Sequence, residues 1–170
     1  WSYRYGYDGE KMPEMKLKTG DDNIDTYILS FIESVNKGET KVNASVLFPH
    51  DIYAKYSNLY GYFANKYDAS VEAFWKNLPN TVTDDTSTIV VCDGSGSMMK
   101  PVVNSAVKVL DVARALGIYF SERLTGPYKD KIIEFSKTPK LIDLSNCDSL
   151  FSKRSVLEKY TDTSCTNIES

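Results

Sequence analysis

Between Ser87 and Leu110 the chain reads STIVVCDGSGSMMKPVVNSAVKVL. Asp93, Ser95 and Ser97 alternate with Gly94 and Gly96, so a carboxylate and two hydroxyls recur at every second residue after the apolar run Ile89 to Cys92. All three side chains donate oxygen, the ligand a hard cation accepts, and Mg2+ takes such ligands at about 2.0–2.1 Å while keeping several waters. The glycines let the backbone curl so that alternate side chains converge. Other strand-turn-helix chemistries need letters that are missing. A phosphate-cradling loop needs Gly-x4-Gly-Lys-Ser/Thr, but Lys100 is followed by Pro101. A nucleophile elbow needs Gly-x-Ser-x-Gly, whereas Asp93 and Ser97 flank Ser95, and His50, the single histidine, lies upstream. An aspartyl-phosphate phosphotransferase also sets a nucleophilic Asp at a strand end, with a second carboxylate two residues later; here that position is Ser95, and this chemistry stands as the enzymatic alternative. The structural alternative is a helix cap, although one capping residue suffices and three alternate here.

Asp93 needs a strand before it and a helix after it. The β-branched run Ile89 to Cys92 predicts the strand. Val103, Val107, Leu110, Ala113 and Phe120 predict a long helix from Pro101 to Glu122, stopped by Gly126-Pro127. KIIEF and KLIDL, separated by SKTP, predict an antiparallel hairpin, and SLFSKRSVLEKY a further helix. This order predicts an α/β layer with a mostly parallel sheet, whose ligands bind beyond the carboxyl ends of the strands. Upstream, Ile24, Tyr27, Ile28, Phe31, Ile32 and Val35 recur at helical spacing, with Asp21, Asp22 or Asn23 to cap and Gly38 to close. A second helix is predicted from near Pro49, with Ile52, Tyr56, Leu59 and Phe63 on one face. A third carries Val71, Phe74, Trp75 and Leu78 and ends at Pro79. Residues 1–80 therefore read as a helical region and 81–170 as an α/β part, joined by the polar NLPNTVTDDTS.

The hydrophobic fraction of 42%, charged fraction of 25% and net charge of -3 favour neither nucleic acid nor an acidic membrane surface. No apolar run approaches the about 18 residues of a membrane span. Cys92, Cys147 and Cys165 are odd in number and widely spaced, which points to a reducing, intracellular (cytoplasmic) compartment. The sequon Asn43-Ala44-Ser45 is then a chance match. Tyr3, Tyr5 and Tyr7 alternate around Arg4, fitting a short strand or packed segment better than a base-stacking surface. His50 has no cysteine or second histidine near it and reads as structural. The chain starts at Trp1 and stops at Ser170 as CTNIES enters a helix, which leads to the expectation of a longer protein.

Asp93-Gly94-Ser95-Gly96-Ser97 resembles the metal-ion-dependent adhesion site of von Willebrand factor A-type domains, Asp-x-Ser-x-Ser at the end of the first strand. The resemblance runs on through the following helix and hairpin to Thr166-Asn167-Ile168, similar to the second metal-site motif. It implies the first part of a von Willebrand A-like, Rossmann-like domain over residues 81–170, its C-terminal part absent. It also implies Mg2+, with Mn2+ or Ca2+ as substitutes, held directly by Ser95, Ser97 and Thr166, and by Asp93 directly or through water. Cys165 stands where the family usually has glycine, and the family's further carboxylate would lie beyond Ser170. The helical half, especially VNASVLFPHDIYAKY, is similar to a domain-of-unknown-function family that joins a helical region to an A-type domain and includes virus-encoded members. Ring-shaped RNA-binding Ro proteins share that arrangement. The resemblance implies a metal-dependent protein-binding or scaffold module, not an enzyme, with a partner's acidic side chain completing the metal's shell. An RNA-associated scaffold, its helical region binding RNA, is the alternative. The sheet is expected to be completed by the remainder of the chain or by another subunit.

Overall fold

The computed structural model describes residues 21–40, 47–57, 67–83, 88–105 and 107–160. Thr166, Leu59, Phe63, the tyrosines at 3, 5 and 7 and the sequon lie outside them. Helix α1 spans Asp22–Asn36, where the Asp21 carboxylate accepts from the amides of Asn23 and Ile24, and Gly38 leaves the helix at φ 76°. Helix α2, Pro49–Ser57, begins at the predicted proline. Helix α3, Ala69–Lys76, is capped by Asp68 through the amides of Ser70 and Val71.

On α3 the buried face differs from the apolar pattern. Phe74 is 36% exposed, whereas Glu72 is 2% exposed. Burying a carboxylate is costly unless hydrogen bonds replace its water. Glu72 accepts from the Tyr56 hydroxyl at 2.7 Å and from the amides of Leu150 and Phe151 at 2.8 and 3.0 Å. Those amides open helix α5, Leu150–Lys159, so a side chain from the helical region caps a helix of the α/β part.

Strands β1, Val90–Asp93, β2, Lys131–Phe135, and β3, Lys140–Asp143, form one sheet in the order β1-β2-β3. β1 pairs parallel with β2, from Val90 opposite Ile132 to Asp93 opposite Phe135, and β2 pairs antiparallel with β3 as the predicted hairpin. The class is α/β; of the two pairings one is parallel, so the described sheet is mixed rather than mostly parallel. Helix α4 spans Val109–Arg123 and starts eight residues after the predicted Pro101. Pro101 forms an antiparallel bridge with Lys108, the Val102 amide donates to the Val107 carbonyl at 2.8 Å, and Asn104 turns at φ 59°. Val103, the first residue of the presumed stripe, is 86% exposed in that loop.

α4 lies close against β1, where a β-carbon at Gly117 would collide with the Cys92 sulfur. One hydrophobic cluster joins Tyr53, Tyr56 and Trp75 of the helical region to Cys92, Ile118, Ile132 and Leu157. Polar contacts tie the same seam, with the Trp75 indole donating to Glu122 at 2.9 Å and the Tyr119 hydroxyl to the Pro79 carbonyl at 2.6 Å. Among the described residues no helix is long and apolar enough to cross a membrane.

Candidate metal centre

Asp93 is the last residue of β1, and the Gly94 amide adds one more bond toward β2, donating to the Phe135 carbonyl at 2.9 Å. The chain then turns back on the Asp93 side chain: the Ser95 amide donates to Asp93 Oδ1 at 2.8 Å. Gly96–Met99 form one 3-10 turn, closed by the Met98 amide donating to the Ser95 carbonyl at 3.0 Å. This curl brings Ser95 Oγ within 3.0 Å of Ser97 Oγ. Ser95 is 4% exposed, Asp93 is half-buried and Ser97 is open to solvent, so the set runs from the protein interior to its surface.

The helix-cap alternative fails on this geometry. α4 begins at Val109, preceded by Lys108, and no side chain caps it; the 3-10 turn likewise receives no side-chain cap from Ser95. The donor set fits a hard cation. Neighbouring ligands of an octahedral Mg2+ lie about 2.9 Å apart, close to the separation of the two serine oxygens, which is equally that of a hydrogen bond. Among the described residues no three His, Cys, Asp or Glu side chains cluster as a metal site, so an ion held here would depend on hydroxyls beside one carboxylate. The structure brings together Asp93, Ser95 and Ser97; Thr166 lies outside the described residues. His50 stacks on Phe48 with ring centroids 5.6 Å apart, and its Nε2 lies 3.7 Å from Asp51, in the first turn of α2.

One component beneath the turn escaped the sequence reading. Glu134 on β2 and Arg114 on α4 form a buried ion pair at 3.1 Å, their side chains 4% and 5% exposed. The same guanidinium nitrogen donates to the Leu157 carbonyl of α5 at 3.1 Å. A β-carbon at Gly94 would collide with the Glu134 carboxylate. The sequence signal was a Glu in KIIEF at the same strand parity as the fully buried Ile132. Nearby, burial pushes the Cys92 thiol up from an ordinary 9.0 to about 11, with Arg114 opposing and Glu134 adding to the shift.

Fold and site together define an α/β protein with a hydroxyl-rich turn at the carboxyl end of its first strand. Residues 87–170, which contain that turn and all three described strands, match the family model described as a domain of unknown function, DUF7788. The chain is also 30% identical over 120 residues to "Uncharacterized protein L728" of Acanthamoeba polyphaga mimivirus, an alignment covering 69% of this chain and 19% of that protein. No solved structure matches the chain.

Proposed function

We propose that the protein is a Mg2+-dependent binding module in the manner of a von Willebrand A-type adhesion site, and that it is not an enzyme. Asp93, Ser95, Ser97 and Thr166 hold the ion, and an acidic side chain of a protein partner completes its shell. The observation that carries this reading is the approach of the Ser95 and Ser97 hydroxyls to 3.0 Å beside Asp93, in a turn where neither serves a helix. Each hydroxyl is neutral, so the ion keeps much of its charge for an external carboxylate. Metal and partner then strengthen each other's binding. A phosphotransferase would need an acid-base group two residues after Asp93, where this chain places the buried Ser95. The mimivirus relative is consistent with a virus-encoded chain.

Capture of proteins from lysate on the immobilised chain, in Mg2+ and in chelator, tests the partner. An acidic partner should be retained in Mg2+ and released by chelator, and Asp93→Ala should behave as wild type in chelator. Retention indifferent to both would overturn the reading.

A further inference from the structure

We propose that Glu134 is a positioning residue for the Asp93–Ser97 turn, holding its oxygen donors in register through Gly94. The inference rests on the metal-binding reading given above. Gly94 is buried, and the space its side chain would fill is taken by the carboxylate end of Glu134. The backbone of the turn therefore lies directly on a charged group, between the ligands Asp93 and Ser95. That group is itself fixed. Arg114 grips it at 3.1 Å from α4 and, through the Leu157 carbonyl, ties it to α5, while the adjacent Phe135 carbonyl receives the Gly94 amide at 2.9 Å. The floor of the turn is thus set by β2, α4 and α5 together.

Stability alone gives little reason for this arrangement. The desolvation of a buried ion pair offsets most of its attraction, and well-packed apolar residues of similar volume commonly replace such a pair without loss. A directional ion pair does, however, fix the height and orientation of a carboxylate more tightly than an apolar contact. Metal sites depend on such supporting groups, whose removal typically costs about 10- to 100-fold in affinity. The glycine at position 94 is required by the same contact: the turn can settle to its observed depth only where no β-carbon meets Glu134.

The test uses the full chain and four variants of it, read by Mg2+ titration and by the amide signals of Ser95 and Ser97 in the metal-free protein. Gly94→Ala should shift those amides and weaken Mg2+ binding about tenfold or more. Adding Glu134→Asp, which withdraws the carboxylate by one methylene, should move both readouts back toward wild type. Replacing the pair by Arg114→Met with Glu134→Leu should leave a folded protein with weakened Mg2+ binding and displaced amides. Glu134 is only a packing residue if Gly94→Ala binds Mg2+ as wild type does while Ser97→Ala does not, or if the apolar pair leaves affinity and amides unchanged. A wild-type chain that binds no Mg2+ at all would instead sink the metal-binding reading, and this inference with it.

Discussion

Cys92 and Gly117 share one space: the sulfur fills the volume that any side chain at position 117 would need. The thiol has a packing role there, and burial holds it protonated up to about pH 11. Because the thiolate is the reactive form, about one molecule in a thousand carries it at pH 8 in the fold, against about one in ten for a thiol of ordinary pKa. Cys92 should therefore resist alkylation at pH 8 in the native chain, while the partly exposed Cys147 reacts. Denaturant should abolish the difference. Peptide mapping after a timed pulse of iodoacetamide checks this, and native-state labelling of Cys92 at the rate of Cys147 would refute it. At this scale the convergence of Asp93, Ser95 and Ser97 was readable because it is local, made by a turn of five residues whose glycines announce it. Glu134 and Arg114 were not readable, because nothing in either segment says that a charge on β2 meets one on α4, 20 residues away in sequence.

Among the elements, the ends of the helices show where periodicity is informative. α1 and α3 were predicted from their apolar periods, and in each an aspartate, Asp21 or Asp68, receives the first free amides; Asp21 was among the caps expected for α1, whereas Asp68 was not foreseen. α4 was drawn too long because Val103 and Val107 keep helical spacing by accident, inside a loop that Pro101 and Lys108 close as a bridge. α3 was given the wrong buried residue because the group that needs its carboxylate, the amino end of α5, lies 78 residues further on. That contact makes a prediction. Glu72→Ala removes the acceptor for the buried Leu150 amide, the partly buried Phe151 amide and the Tyr56 hydroxyl, and should destabilise the protein by about 3 kcal/mol, the cost of leaving such donors unmatched. Urea unfolding should show one transition moved to lower denaturant for the helical region and the α/β part alike, since Glu72 joins them. A change below about 0.5 kcal/mol, or separate transitions, would contradict the shared core.

At the scale of the whole molecule, the described residues cover the sheet on one face. Cys92 and Ile132 point toward α4, so Val91 and Ile133 point away, and the register sets Val91, Ile133 and Leu141 in one row across the three strands. Val91 is 56% and Leu141 59% exposed, and among the described residues β1 pairs on one edge alone. An apolar row beside an open strand edge favours association. The full chain should self-associate in sedimentation experiments, and Val91→Lys with Leu141→Lys should render it monomeric at an unchanged melting temperature. A wild-type chain that stays monomeric while unfolding cooperatively would show that the face needs no cover.

The central claim is that the turn after β1 is a cation site built on hydroxyls. The most direct measurement is isothermal titration of Mg2+ into the full chain, beside Ser95→Ala with Ser97→Ala and beside Asp93→Ala. One carboxylate with neutral oxygens should give weak binding, at about 1 mM. Both variants should lose it while melting as wild type does. Equal heats from wild type and variants would mean that the two serine hydroxyls, 3.0 Å apart, are bonded to each other and hold no metal.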